Sequence, residues 1–563
     1  MNFNLKKSII NFGITLLVII IINLIGSKIY HRFDLTQEKR YTLTQSTKNL
    51  LKNNKEKVDI EVYLDGKNLP AGFKQLKNET KELLQEFRNI SKGNIQYHFI
   101  DIDKAKNQEA KEKLQNDLIE KGILPVNLEV KTSSGTVEKL IFPGAIIKTN
   151  KREIPVQILE NQFAFGAQGA LNNSVNFLEY KVANGIQKAL KENPPRIAFL
   201  QGHDELDINH LQDFIRTLGR QNFIIDRVFL DKDDLLNSKT DVLVIAKPQL
   251  TIPDNEKFII DQFIMNGGKV LWLIDNTTAD LSRFELAPNF VASNLDLGIT
   301  DLLFRYGVRI NYNLVLDLYC TQIPIIETIG GNPQPKLFPW VFYPIAVPNN
   351  RHAIVKNLDP IWFRFCSSID TLAIPDVKKT ILATTSQYAR VQNTPFDIYL
   401  QGAKLQPNPE LFNKKDIPLA VLLEGNFKSL YKNQLTTDLR AILANFSKPY
   451  KSSSNFNKMI VVADGDVIKN DLDSKGVPVA LGYDRYTQKQ FANKDFLLNS
   501  IEYLIDDNNL IEARNREIKM RLIDKAKLED KKALWQFITI IFPLLFTLIV
   551  GGYINRRRIK KYQ

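Results

Sequence analysis

RIAFLQG (196–202), DVLVIAKP (241–248) and KVLWLID (269–275) decide the fold. Each is a short apolar run without alternation, as expected of a strand buried on both faces of a sheet. Between them, residues 207–220 and 254–266 place apolar side chains at helical spacing. Apolar strands alternating with helices predict a doubly wound α/β domain, here over residues 193–510. KTILATTS (379–386), PLAVLLEG (418–425) and KMIVVADGDVI (458–468) fit the same sheet. The proline-rich stretch 323–350 has no clear periodicity and reads as an elaborate loop packed on the core.

Towards the N-terminus, Asn193, Pro194 and Pro195 form a stiff boundary after a helix over 174–190. Before it, residues 56–192 change pattern. VDIEVYLDG (58–66) alternates as a half-buried strand, and Leu76, Leu83, Leu84 and Phe87 share a helical face within 73–90. NIQYHFIDID (94–103) is the next strand, and a helix follows over 107–121. LPVNLEVKT and VEKLIFPGAIIKT then make a hairpin pair turning at Ser133, Ser134 and Gly135. This order resembles a thioredoxin-like domain, with Pro125 just before the third strand, where that fold keeps a cis-proline. No CxxC is present, so the redox chemistry of that fold is not expected.

The two ends are apolar. SIINFGITLLVIIIINLIG (8–26) carries no charge over nineteen residues, and a bilayer core asks for ~20 apolar residues in a helix. Residues 8–29 are therefore expected to be a first transmembrane helix, retained as an anchor because no small-residue cleavage site follows. ALWQFITIIFPLLFTLIVGGYI (533–554) is the expected second one, with Trp535 and Tyr553 at interfacial positions and Pro543 set to kink it. Residues 30–55 become a membrane-proximal stalk and 511–532 a charged linker helix. The tails, 1–7 and 555–563, hold Lys6 and Lys7, then Arg556, Arg557, Arg558, Lys560 and Lys561, without an acidic residue. Positive charge is retained on the cytoplasmic side. The expectation is a two-pass protein of the cytoplasmic (inner) membrane, both tails cytoplasmic, with the large middle region periplasmic.

Composition narrows the function. Seven tail charges account for much of the net +13, and the rest is spread without a basic stripe interleaved with aromatics, which argues against nucleic acid. GxxxxGK[ST] and GxSxG are both missing, so neither nucleotide hydrolysis nor a serine elbow is expected. His203, in QGHDEL, sits at a strand's carboxyl end, where α/β sheets bind ligands. Asp204, Glu205 and His210 lie nearby, but their spacing matches no recognised metal set, and a polar turn capping the next helix through Asp204 and Asp207 is favoured. Asp464 and Asp466, in VVADGDVI, suggest paired carboxylates or a magnesium site, although an Asp-Gly turn explains them more cheaply. Cys320 and Cys366 form no CxxC, and a disulfide between them is left open. No catalytic residue, metal or cofactor is predicted.

Taken together, RFDLTQEKRYTLT (32–44), LEYKVANGIQKAL (178–190), IAFLQGHDEL (197–206), DQFIMNGGKVLWLID (261–275), DLLFRYGVRI (301–310), AVLLEGNFKSLY (420–431), KMIVVADGDVI (458–468), LGYDRYT (481–487) and NKDFLLNSIEYLID (493–506) resemble the GldG family. These are gliding-motility-associated ABC-transporter auxiliary proteins, and the likeness runs along nearly the whole chain. It implies a non-ATPase subunit working with a multi-span permease and a cytoplasmic ATPase. It also implies that the α/β region looks like the domain of intraflagellar-transport-type proteins, related to glutamine-amidotransferase-like folds without the nucleophilic cysteine. The family supplies no agreed catalytic residues. Phe33, Asp34, Arg40 and Tyr41 in the membrane-proximal motif, with His203 and Asp464, are the positions expected to meet an envelope protein or small-molecule ligand. A tethered solute-binding receptor, and after it a tethered hydrolase, are the alternatives.

Overall fold

The computed structural model describes residues 12–21, 23, 42–66, 69–132, 135–160, 166–232, 235, 239–329, 332–444, 448–515 and 532–562. Residues 41–516 make one compact unit, built around two sheets.

The first sheet follows a short helix, α1 (Gln45–Asn53), whose N-terminus is capped by the Thr44 side chain accepting from the Thr47 amide. Then come β1 (Val58–Val62), α2 (Ala71–Ile90), β2 (Ile95–Phe99), α3 (Gln108–Lys121), β3 (Val126–Thr132), β4 (Gly135–Ile141), β5 (Gly144–Lys148), β6 (Glu153–Gln157) and α4 (Gly166–Leu190). The strand order is β2-β1-β5-β6, with β1 parallel to β2 and antiparallel to β5. Ile60, Val62, Ile147 and Val156 from the strands meet Leu84 and Phe87 of α2 and Val182 and Ile186 of α4 in one core. Gly185 is what lets α4 lie this close: a Cβ there would stand 2.6 Å from the Ile147 Cδ1.

Three expectations change here. The run taken as one strand after the Ser133–Gly135 turn breaks at Phe142 and Pro143, because proline supplies no ladder N–H. Its first half pairs with β3 as a separate ribbon, and its second half, β5, enters the central sheet. Pro125 precedes the ribbon rather than the sheet strand, and the cis peptide among the described residues is Thr394–Pro395, so Pro125 is trans. Helix α4 also begins earlier than the expected 174, at Gly166.

The second sheet holds ten strands. In chain order its elements are β7 (Arg196–Gln201), α5 (Ile208–Arg220), β8 (Ile224–Phe229), β9 (Val242–Ala246), α6 (Asp254–Met265), β10 (Lys269–Leu273), β11 (Cys320–Ile329), β12 (Asn332–Pro348), β13 (Val377–Thr384), β14 (Pro418–Lys428), β15 (Ser453–Val462) and α7 (Asn493–Ile505). The order across the sheet is β11-β12-β13-β14-β15-β10-β9-β7-β8, with Ile361–Trp362 paired beside β12. Strands β8, β7, β9, β10 and β15 are parallel, and β14 and β13 extend them antiparallel. Alternate side chains of β7 explain why both faces are covered. Ile197 and Phe199 pack with Leu211 and Phe214 of α5 and Phe496 and Ile501 of α7, whereas Ala198 and Leu200 pack with Ile260 and Phe263 of α6.

The proline-rich stretch is not a loop but the long β11–β12 hairpin. Pro324, Pro333, Pro335 and Pro339 all fall in alternate cross-strand pairs, opposite Leu337, Thr328, Ile326 and Gln322. One choice of ladder therefore turns all four ring nitrogens away from the partner strand, the position proline tolerates. Likewise, 458–468 is not strand throughout: β15 ends at Val462, and 465–468 is a 3₁₀ turn.

A buried cluster joins the two sheets. Glu502 of α7 accepts hydrogen bonds from the Lys188 ammonium (2.5 Å), the Tyr180 hydroxyl (2.5 Å) and the Asn184 amide (3.0 Å), all from α4. Burial alone would raise the Glu502 carboxyl, but Lys188 holds it below the usual glutamate range. Arg514 stacks over Phe177 and Tyr180 and donates to Asn499, so the chain after α7 is bound to the same helix.

At the C-terminus, Lys532–Gln536, a π-helical turn over Phe537–Ile541 and Phe542–Tyr562 form a helical segment. Its stretch Leu534–Lys560 is long and apolar enough to cross a membrane. The π turn stands immediately before Pro543, where the missing N–H disrupts regular pairing. The basic tail, expected to start at 555, continues the helix to Tyr562. Of the expected first span, the described residues Phe12–Ile21 form an apolar helix. The rest of 8–29 except Asn23, the stalk up to Tyr41 and linker residues 516–531 lie outside the described residues, whereas 510–515 forms a 3₁₀ turn.

Glu502→Gln tests the cluster, because it strands a buried lysine charge. Removing one partner of a buried ion pair costs about 3–5 kcal/mol, so the denaturation midpoint should fall clearly. Lys188→Met combined with Glu502→Leu should recover part of the loss, and tryptophan fluorescence during urea unfolding measures both.

Candidate functional site

In an open α/β sheet the ligand crevice lies at the carboxyl ends of the strands, where the strand order reverses. Here that point falls between β7 and β9. The turn after β7 runs through Gly202 and Asp204, both at positive φ, with His203 between them. Lys247, after β9, also has a positive φ of 57°.

His203 is buried between two carboxylates. Its Nδ1 lies 3.2 Å from Glu205 and its Nε2 3.2 Å from Glu256 of α6. The hydrogen bond to Glu205 raises the imidazole above its ordinary value even though burial opposes it. Burial in turn raises the Glu256 carboxyl. The His203 carbonyl accepts from the Gln249 and Leu250 amides at 2.8 and 3.0 Å, so the loop after β9 is tied across the switch point to the turn after β7. Asp207 caps α5 as expected, accepting from the Asn209 and His210 amides, and Asp204 makes the left-handed turn instead of a cap.

Asp464 belongs to a second cluster along the same edge. Its carboxylate accepts from the Arg364 amide at 2.6 Å and the Asp466 amide at 2.7 Å, and it has no exposed surface. The Lys247 ammonium sits 2.6 Å from Asp466, 2.8 Å from Asp280 and 3.4 Å from Asp275. Burial disfavours that ammonium, but the three aspartates keep it charged well above the usual lysine value. Burial raises Asp464 far above the carboxylate range, helped by the neighbouring Asp275 and Asp466. Burial likewise lifts Asp275 to about 6, against the pull of Lys247. The Gly465 amide donates to Asp275 at 2.6 Å, which binds the end of β10 to the turn after β15.

The structure thus places His203 and Asp464 on one sheet edge but in two separate clusters, and Phe33, Asp34, Arg40 and Tyr41 lie outside the described residues. Each ring nitrogen of His203 faces a carboxylate, and the Asp464 carboxylate is taken up by backbone amides. Both clusters fasten loops. Among the described residues no group of three or more His, Cys, Asp or Glu side chains is placed to hold a metal ion; a lysine ammonium stands at the centre of the aspartates. Cys320 and Cys366 are free thiols. Sequence reasoning missed Lys247, Asp275, Asp280 and Glu256, although Lys247 and Asp275 carried a signal as the first charged residues after apolar strands.

The pH dependence is fixed by the signs of these shifts. An acid whose folded value is raised stabilises the fold as pH falls through that value, and a histidine with a raised value loses its contribution as pH rises above its unfolded value of ~6.5. Both predict a higher melting temperature near pH 6 than near pH 8. His203→Gln should flatten the profile above about pH 6.5, and Asp275→Asn should flatten it between about 4 and 6. Thermal melts of the full chain across pH check this.

Comparison with known proteins gives five findings. Residues 194–500 match the family described as ABC-type uncharacterized transport system, and residues 37–148 match a domain of unknown function, DUF7088. An uncharacterized protein of Borreliella burgdorferi is 24% identical over 468 residues, which are 80% of this chain and 86% of that protein. Among solved structures, the mmIFT52 N-terminal domain aligns over 58% of this chain and 100% of its own, at 14% identity and a TM-score of 0.30. An exo-β-1,4-mannosidase from Opitutaceae bacterium strain TAV5 aligns over 60% of this chain and 39% of its own, at 10% identity and a TM-score of 0.21. Because the first match spans more than half of the chain and takes in both charged clusters, the protein belongs to the family of the ABC-type uncharacterized transport system.

Proposed function

We propose that this protein is a non-catalytic accessory subunit of an ABC transport complex, anchored by both ends in the cytoplasmic membrane. Residues 41–516 then work outside the cytoplasm on an envelope partner or substrate, and a multi-span permease and a cytoplasmic ATPase complete the assembly. The carrying observation is the family match over 194–500 in a chain that also has an apolar helix over Leu534–Lys560. That helix exposes Leu544, Leu548 and Ile549, which are 61%, 72% and 69% accessible. Apolar side chains so exposed need a lipid or protein cover. The uncharged run 8–26 and the basic residues of both tails support the two-pass arrangement with tails inside.

The strand order β2-β1-β5-β6, with α2 and α3 between the strands and α4 after them, supports a thioredoxin-like reading of the first sheet, with β3–β4 as an inserted ribbon. The GldG resemblance supports a link to gliding motility. Non-catalytic action is supported by the enclosure of His203 and Asp464, the two positions best placed for chemistry.

The full chain, affinity-tagged and extracted in mild detergent, should co-purify with a multi-span permease and an ATPase in fixed ratio. A chain that elutes alone and monomeric overturns the reading. Deleting 534–562 should lower the recovered permease at least tenfold.

A further inference from the structure

A cleft of about 480 Å³ opens where the two ends of the compact unit meet. One wall is α1, which offers Asn49 and Asn53; the other is the Asn508 segment, and Leu50, Leu190 and Leu510 form the floor. Both walls are fixed on α4. Thr44, the cap of α1, donates its amide and hydroxyl to Glu179 at 2.7 Å each. Leu510 is packed into the core of the first sheet, and Arg514 stacks on Phe177 and Tyr180.

The lining states what it accepts. Among the described residues, the side-chain amides of Asn53 and Asn508 take no hydrogen-bond partner, so each keeps donors and an acceptor available. Paired donor and acceptor groups match the C=O and N–H of a peptide backbone. The charges at the rim balance, Lys55 against Glu56, and Lys151, 3.6 Å from Glu56, against Glu192 at 3.7 Å, so no net field selects an ion. An aliphatic floor under a rim of amides suits an extended segment that buries one apolar side chain.

We propose that this cleft seats an uncharged, extended peptide segment supplied by the membrane subunit of the transporter. The assignment rests on the accessory-subunit reading. The membrane subunit is favoured over a diffusing solute because the walls, at Asn49, Asn53 and Asn508, lie 8, 12 and 8 residues along the chain from Tyr41 and Arg516, where the compact unit ends. A segment seated there touches at once the two chain segments that lead to the terminal apolar stretches, and through α4 and Glu502 it is joined to the ten-stranded sheet.

The experiment uses the full chain in membranes of its host, with a photo-reactive benzoylphenylalanine in place of Asn53 or of Asn508. The result expected is a cross-linked peptide of the co-purifying permease at both positions and none from the exposed Lys475. Absence of that peptide from a complex that still co-purifies overturns the proposal, as does a cross-link that maps only to other proteins. Asn53→Asp with Asn508→Asp should lower recovered permease at least tenfold while the melting temperature stays unchanged; full recovery also overturns it. Loss of permease from the unsubstituted chain instead sinks the accessory-subunit reading itself, which separates the two failures.

Discussion

The buried Lys188–Glu502 pair is the constraint on which the arrangement of this molecule turns. Two sheets with separate cores would ordinarily meet through a surface able to slide. Here a lysine from the helix that closes the first sheet crosses to a glutamate on the helix that covers the second. Lys188 also donates to Gln221 at 2.7 Å and lies over the Phe223 ring, so it is held by the α/β side from two directions. Desolvating both charges is costly, and the added bonds from Tyr180 and Asn184 offset part of that cost. A pair of this kind contributes less to net stability than to fixing one register. The angle between the sheets is set by where three side chains of α4 find one carboxylate.

The same balance of burial against charge governs the sheet edge. One lysine among Asp275, Asp280, Asp464 and Asp466 leaves excess negative charge in a dry place, and the protein answers by raising Asp464 and Asp275 so that protons replace missing cations. Loops after β9, β10 and β15 are thereby drawn together, and His203 with its two glutamates does the same for the turn after β7 and the start of α6. A crevice that the strand order would leave for a ligand is instead filled by the protein's own charges.

How much of this was legible depended on which force set each element. The parallel strands were readable because complete burial demands unbroken apolar runs, and RIAFLQG, DVLVIAKP and KVLWLID have them. Strand β8, IIDRVF, was not, because an edge strand keeps Asp226 and Arg227 towards water and breaks the run. The β11–β12 hairpin was misread since proline signals a loop locally, and only the cross-strand register shows the prolines sharing one class of pair. At the candidate site, His203 stood out by its residue type and place after a strand. Glu256 and Asp280 did not, because their partners lie 53 and 33 residues away in sequence and only the packing of α6 and the turn after β10 brings them in. Charge pairs across a fold leave no periodicity behind.

For the proposed accessory role, α4 matters more than either charged cluster. Its LEYKVANGIQKAL segment supplies Glu179 to the first chain segment, Tyr180 to Arg514 of the last, and Tyr180, Asn184 and Lys188 to Glu502. Consecutive turns of one helix thus hold the beginning of the unit, its end and its second sheet. From the last segment to the ten-stranded sheet the path runs through buried side chains with little room to repack, since interiors are close-packed and transmit strain. A subunit that is read as borrowing its energy from a separate ATPase needs such a rigid element more than it needs an active site.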